Sequence, residues 1–301
     1  MELARENVQL TSEEFFEGLV SPQLGLYSRE EVERLRRARV AIPGLGGVGG
    51  THLISLVRSG IGAFNVADFD HFELRNLSRQ YARFDELGRP KAKVLAEEAR
   101  RINPHLDLRV FTEGINKDNV AEFLEGVDVV VDGIEFFALE ARRLVYKEAY
   151  RRNIPVITAA PLGFNASILV FHPEKSPDFE EYFNITEETP RFDQLLLFTL
   201  GLAPKPWFLK YLDLASIDLA ARRGPASVIT CYLCTALAAM EAVRIILRRP
   251  GLKPVPYYFQ VDLYLHRAHL GCLKKGNRSW RQRLKFWFLK RKLRHLREAL
   301  E

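Results

Sequence analysis

The chain has little cysteine and no long apolar run. Its 301 residues hold three cysteines, and none lies between Met1 and Thr230. So few, and an odd number, exclude a disulfide framework and suit a reducing compartment. The first fifteen residues contain Glu2, Glu6, Glu13 and Glu14 and no apolar run, so no signal peptide is read there. Stretches such as Leu195–Leu200 fall far short of the ~20 apolar residues a membrane span needs. A cytosolic (cytoplasmic) protein is expected. Excess positive charge is also missing from most of the chain. Residues Lys274–Glu301 carry eleven Lys/Arg against two Glu, a net of +9, which leaves the other 273 residues at −3 within the total of +6. The basicity is therefore local.

What is present centres on residues 39–91. The apolar run Val40–Pro43 reads as a buried strand that enters Gly44, Gly46, Gly47, Gly49 and Gly50, followed by apolar Leu53–Val57. Strand, glycine turn and helix make a phosphate site, because glycine permits close backbone approach and a helix N-terminus presents unpaired N–H groups. A second strand, Ala63–Ala67, ends on Asp68, 24 residues after Gly44. A carboxylate there accepts hydrogen bonds from ribose hydroxyls. Up to this point NAD, FAD, S-adenosylmethionine and ATP fit equally.

The next residues narrow the choice. Asp70, Asn76, Arg79 and Gln80 follow, then Gly88-Arg89-Pro90-Lys91 opens a helix. A dinucleotide pyrophosphate is held by the glycine turn alone, whereas a triphosphate about to be cleaved needs cations on its terminal groups. Arg79 and Lys91 supply them, and Pro90 at a helix start sets Lys91 beside a second dipole end. No acid–base pair suited to hydride transfer follows the turn.

In this order the residues resemble the ThiF/MoeB/HesA family, relatives of the ubiquitin-activating enzymes: glycine turn, Asp-x-Asp, Asn-x-x-Arg-Gln, Gly-x-Pro-Lys. The resemblance covers residues 38–171 well and 224–262 more loosely. It implies an ATP-dependent adenylyltransferase that uses Mg-ATP to convert a carboxylate into an acyl-adenylate with release of pyrophosphate. The carboxylate would be the C-terminus of a small ubiquitin-like or sulfur-carrier protein, or of a peptide; some relatives activate a small molecule or a tRNA base instead. Gly44, Gly46, Gly47, Gly49, Asp68, Asp70, Asn76, Arg79, Gln80, Lys91 and Asp132 would form the nucleotide site. Arg79, Lys91 and Glu135 would be catalytic, with Glu135 the magnesium ligand. A homodimer is also implied.

The chain departs from the family in several places. Leu26-Tyr27-Ser28-Arg29-Glu30 has Leu26 where the family's Arg-Tyr-x-Arg-Gln begins with an arginine that reaches the partner subunit's ATP. Asp132-Gly133-Ile134-Glu135-Phe136 replaces Asp-x-x-Asp-Asn. Zinc-binding relatives carry two Cys-x-x-Cys pairs; here only Cys231 and Cys234 form one, with Cys272 alone, so no zinc site is expected. The cysteines read first as buried packing residues; if one is a reactive thiol, Cys231, placed at a helix start, is the first candidate. The lack of that arginine at Leu26, the altered Asp-Asn pair and the absence of the crossover-loop cysteine that relatives use support an alternative reading, a non-catalytic nucleotide-binding partner subunit of a paired activating enzyme.

The organisation reads as an α/β, Rossmann-like doubly wound, mostly parallel sheet with helices on both faces. Residues 1–37 form a helical arm anchored by Phe15, Phe16 and Leu35, and residues 38–172 the nucleotide-binding core. Within that core, strands are expected at 106–111, 127–132 and 155–160, and helices at 90–102 and 136–152. Residues 173–226 form an irregular crossover insertion, and residues 227–272 a returning helix (231–247) and a strand (255–265). Residues 273–301 form a basic amphipathic helix with a stripe of Phe286, Leu289, Leu293, Leu296 and Leu300. That stripe suits packing on the body or on another protein, an anionic membrane surface, or RNA.

Overall fold

The computed structural model describes residues 10–213, 216, 218 and 224–294. Two short helices lead in, α1 (Ser12–Val20) and α2 (Arg29–Arg37), each opened by a capping box: Thr11 with Glu14 and Ser28 with Glu31. Phe16, Val20 and Val32 pack together, Leu35 enters the main core, and the Phe15 ring lies tilted against His105. The arm is thus fastened to the body.

The body begins with β1 (Arg39–Pro43), α3 (Gly47–Arg58), β2 (Ala63–Ala67), α4 (Lys91–Ile102) and β3 (Asp107–Phe111). It continues through α5 (Val120–Phe123), β4 (Val129–Asp132), α6 (Leu139–Arg151) and β5 (Val156–Leu162). These five strands pair in parallel, with Val40 opposite both Phe64 and Val129. Their apolar residues alternate between faces. Val40, Ile42, Val129 and Val131 point into the cluster under α3 and α4, while Ala41 and Val130 point into the cluster under α5 and α6. Burial on both faces explains why these strands are almost continuously apolar.

Beyond β5 the sheet changes direction. β6 (Asn165–Phe171) returns antiparallel to β5 after the two-residue turn Gly163–Phe164, with Gly163 at φ +65°. The expected strand–helix alternation up to Phe171 therefore stops at β5, because two residues cannot hold the crossover that a parallel strand requires. After α7 (Phe179–Phe183), α8 (Arg191–Leu202) and α9 (Val228–Ile246), the strand expected over 255–265 is a hairpin instead. Its two arms are β7 (Tyr257–Asp262) and β8 (Arg267–Cys272). Its turn has His266 at φ +52° and is held by Asp262 Oδ1, which accepts the Leu265 N–H at 2.9 Å. The full order is β3-β2-β1-β4-β5-β6-β7-β8.

The insertion is more regular than its sequence pattern indicates. Its apolar stretch lies in α8, whose Leu195, Leu197 and Phe198 pack beneath α6 and α7. α9, with 19 residues, is long and apolar enough to cross a membrane by length and composition. It packs instead on α3, β5 and β6 through Cys234, Thr235, Ala238 and Ala242. The last helix among the described residues, α10 (Trp280–Lys292), lies against α8. Of the expected stripe, Phe286 packs against the core cluster of α6–α8, Leu289 and Leu293 are half-buried, and Leu296 and Leu300 lie outside the described residues.

Candidate nucleotide-binding active site

The C-terminal ends of β1, β2 and β4 meet at one edge of the sheet, the edge at which parallel α/β sheets bind ligands. The glycine turn 44–50 is folded tightly against the end of β4. A Cβ on Gly49 would collide with the Gly44 carbonyl, and one on Gly44, at φ +84°, would collide with the Gly133 carbonyl. Only glycine fits there, and the first N–H groups of α3 have no partner within the helix.

Asp68 is locked beside this turn. Its Oδ2 accepts the Leu45 N–H at 2.7 Å and its Oδ1 accepts the Asp70 N–H at 2.8 Å. Burial pushes the Asp68 carboxyl up, opposed by the Leu45 N–H, by Lys91 and by the Asp70 N–H. Each oxygen keeps acceptor capacity beyond its single backbone bond, which two ribose hydroxyls would use. Lys91 Nζ donates to Asp70 Oδ2 at 3.0 Å, with the lysine side chain 7% exposed and the aspartate 52%. The ammonium is held at the edge by a carboxylate that solvent reaches.

A helical turn, Leu74–Ser78, carries the next group. Asn76 is buried, and its Oδ1 accepts the Glu73 N–H at 2.9 Å, so the side chain shapes the turn that presents Arg79 and Gln80. Arg79 lies against the start of α3, its Cγ 3.6 Å from where a Cβ on Gly47 would stand. Gln80 Nε2 is 3.9 Å from the equivalent point on Gly46, and Gln80 Oε1 is buried without a partner. A buried amide oxygen without a donor at the mouth of a glycine turn is an unusual cost in a folded chain, and a bound ligand's hydroxyl or amine would relieve it.

The end of β4 is built differently. Asp132 Oδ2 accepts Arg142 Nε at 2.8 Å and the Tyr146 hydroxyl at 2.9 Å, while its Oδ1 accepts the Ile134 N–H at 2.9 Å. Its carboxylate therefore faces α6 rather than the glycine turn. Arg142 also donates to the carbonyls of Ile134 and Glu135 and lies 4.7 Å from the centre of the Phe198 ring. Glu135 Oε2 accepts the Phe137 N–H at 2.8 Å, and α6 starts at Leu139, three residues later than the helix expected from Phe136. Arg142 and Tyr146 have no role in the sequence reading. Their signal was the spacing Leu139, Arg142, Val145, Tyr146, Ala149, which places a cation on the buried stripe of α6.

Cys231 lies at the fourth position of α9, its Sγ 3.0 Å from where a Cβ on Gly47 would stand. The helix start does not activate it. Burial pushes its thiol up, with Arg79 opposing, and Cys234 is raised further by complete burial. Among the described residues, no three His, Cys, Asp or Glu side chains gather as a metal cluster. The arrangement fits magnesium only as a nucleotide-borne ion that needs one or two protein carboxylates. At the arm, Leu26 is exposed, Arg29 pairs with Glu17 at 2.7 Å, and Arg249 pairs with Glu31 and covers the Tyr27 ring.

The crossover passes over the antiparallel half of the sheet at two fixed points. Gln260 accepts the Lys205 N–H at 2.9 Å and donates to the Lys205 carbonyl at 3.0 Å. The Tyr211 hydroxyl donates to Asp262 at 2.9 Å and accepts the Phe164 N–H at 3.0 Å. Beneath these contacts Asn165 Nδ2 is buried without a partner.

A glycine turn, an acidic residue just after the second strand and two cations at one sheet edge mark the candidate nucleotide site of an α/β protein. The ThiF family matches residues 20–279, and the chain belongs to that family. It is 34% identical over 140 residues to the tRNA threonylcarbamoyladenosine dehydratase of Escherichia coli, covering 46% of this chain and 52% of that protein. It is 33% identical over 155 residues to a sulfur carrier protein adenylyltransferase of Thermus thermophilus, covering 51% and 55%. The chain thus spans about half the length of these relatives. Among solved structures, E. coli MccB with MccA-N7isoASN superposes with a TM-score of 0.66 at 18% identity, over 88% of this chain and 74% of that one. PaaA superposes with 0.64 at 18% identity, over 91% and 77%. Both share the fold.

Proposed function

We propose that the chain is an ATP-dependent adenylyltransferase that activates a carboxylate, the C-terminus of a small carrier protein or of a peptide. One observation carries the reading. A buried lysine and a half-buried arginine stand at the mouth of a glycine turn beside a backbone-locked aspartate. A nucleotide held only as a cofactor has no use for that pair of cations. Relatives named as adenylyltransferases for sulfur carriers, and a structure of MccB with ATP, support it.

Asp68 would fix the ribose, and the N–H groups of α3 would hold the phosphates. The substrate carboxylate would attack the α-phosphorus, forming the acyl–phosphate bond as the bond to pyrophosphate breaks. Arg79 and Lys91 would stabilise the charge gathering on the leaving pyrophosphate, and Lys91 would exchange Asp70 for phosphate as the nucleotide enters. Glu135 would meet the magnesium that accompanies ATP. Arg142 holds the Glu135 segment in place and so acts through it. The acceptor tail would run under the crossover, where Asn165 offers an unpaired amide donor. A homodimer is supported by the apolar outward side of α9, where Val228, Ile229, Tyr232 and Met240 are exposed. The cytoplasm suits this chemistry, which depends on ATP.

The test is ATP–pyrophosphate exchange with carrier proteins ending in Gly-Gly and with peptides. Exchange that requires a carboxylate and disappears in Lys91→Ala and Glu135→Ala is expected. Tight ATP binding without exchange for any carboxylate would overturn the catalytic reading in favour of a non-catalytic partner subunit.

A further inference from the structure

The inward side of α10 is fully committed. Gln282 Nε2 donates to the Leu200 carbonyl at 2.8 Å, Lys285 Nζ to the Pro204 carbonyl at 2.7 Å, and Lys290 pairs with Asp193 at 2.6 Å. Yet the opposite side is also apolar. Trp280, Leu284, Trp287 and Phe288 follow the spacing of one helical stripe, and all four are more than half exposed. A contiguous patch of large apolar side chains on a surface marks an interaction site.

Its borders are cationic. Arg281, Arg283, Arg291 and Lys292 are exposed beside the stripe, and Trp280–Arg294 holds seven Lys/Arg with no Asp or Glu. Arg281 lies 5.3 Å from the Trp280 ring centre and Arg291 5.8 Å from that of Trp287. Rings and cations thus sit at one level, the arrangement a helix needs when it lies in the plane of a lipid headgroup layer.

We propose that the outward face of α10 docks on an anionic lipid surface, with Trp280, Leu284, Trp287 and Phe288 entering the headgroup boundary and the flanking cations meeting lipid phosphates. A second copy of the same helix is disfavoured, because it would bring Arg281, Arg283, Arg291 and Lys292 of one helix against the same cations of the other, with no acid on either face. A nucleic acid fits less well, since Leu284 and the rings occupy the middle of the face and the cations mostly its edges, whereas a phosphate backbone is met by cations. The remaining residues are net acidic, so charge turns this end of the molecule toward a negative surface.

The full chain should co-sediment with vesicles of phosphatidylcholine containing about 30% phosphatidylglycerol, and not with phosphatidylcholine alone, with retention falling as salt rises. Two of the three tryptophans lie in α10, so intrinsic fluorescence should shift to the blue on binding. Trp287→Ser with Phe288→Ser should lower partitioning by at least about tenfold, and each cation changed to Gln by roughly fivefold. Thermal melting of these variants should be unchanged, since the side chains are exposed. Absence of vesicle binding by the folded chain, equal binding to neutral vesicles, or undiminished binding by the variants would overturn the proposal. Retention by single-stranded RNA without retention by vesicles would overturn it in favour of nucleic acid. Self-association lost in the same variants, again without vesicle binding, would do so in favour of a second copy.

Discussion

Two cation–carboxylate pairs stand at the ends of β2 and β4, on either side of β1, and they are built for different purposes. In Lys91–Asp70 the lysine is buried and its partner half exposed; in Arg142–Asp132 the side chains are 4% and 1% exposed. The first pair can be opened from one side, by a phosphate that replaces the aspartate. The second is closed by Tyr146, the Ile134 N–H and two backbone carbonyls, so nothing enters without dismantling the β4–α6 connection. Proximity to a site edge therefore does not by itself make a charged pair a ligand-binding one. Residual access does.

Mutation should separate the two pairs. Arg142→Ala leaves the buried Asp132 carboxylate without its counter-charge, and such a loss costs about 3–5 kcal/mol. A clear fall in melting temperature is expected, with activity lost through stability; an unshifted melt would show that the pair is dispensable. Lys91→Ala should do the reverse. Exchange should fall by about 10²–10³-fold, the cost of one transition-state donor, while the melt hardly moves. Asp70→Asn should cost less than about tenfold, because a ligand phosphate takes over the role of that carboxylate. If Asp70→Asn is as damaging as Lys91→Ala, the pair is structural and the comparison fails.

A smaller effect concerns acid. His52, on α3 beneath the glycine turn, contacts the Thr235 hydroxyl through Nδ1 at 3.1 Å, and its Nε2 is buried without a partner. Burial lowers its pKa from 6.5 to about 4, with Asp132 opposing. The folded state keeps the ring neutral where the unfolded chain would protonate it. Between those two values the unfolded state binds more protons, so stability falls as pH drops through this window. The contribution is on the order of 3 kcal/mol. In His52→Leu the loss of melting temperature between neutral pH and about pH 4.5 should be visibly shallower than in the parent. Parallel curves would remove His52 as the cause.

The glycine-turn half of the molecule was legible because its constraints are local. Gly44, Gly49, Asp68, Arg79 and Lys91 are spaced by a strand, a turn and a helix, and each spacing is written in consecutive residues. The other half depends on partners far along the chain. The β6 hairpin hinges on Gly163, whose position depends on Tyr211 packing over it. The burial of Asp132 depends on Arg142, ten residues on, and the anchor for Lys205 is Gln260. Side chains whose partners come from distant segments carry no periodic signature, so the crossover read as irregular and the role of Arg142 went unread.

Cys231 shows the limit of a positional argument. A helix start can lower a thiol's pKa, which makes Cys231 the candidate nucleophile on sequence, beside the reading of the cysteines as buried packing residues. In the fold Cys231 is packed against the glycine turn, as a packing residue would be, and the loss of water outweighs Arg79, so the thiol is raised. A buried neutral thiol is a poor nucleophile. Cys231→Ser keeps the small side chain next to Gly47 and removes the sulfur, so exchange should stay within about threefold of the parent, and the parent should resist iodoacetamide at Cys231 at neutral pH. Exposed Cys272 provides the internal positive control for that labelling. Rapid alkylation of Cys231, or a tenfold loss of exchange in the serine variant, would return the thiol to the chemistry and place an acyl acceptor directly against the nucleotide turn.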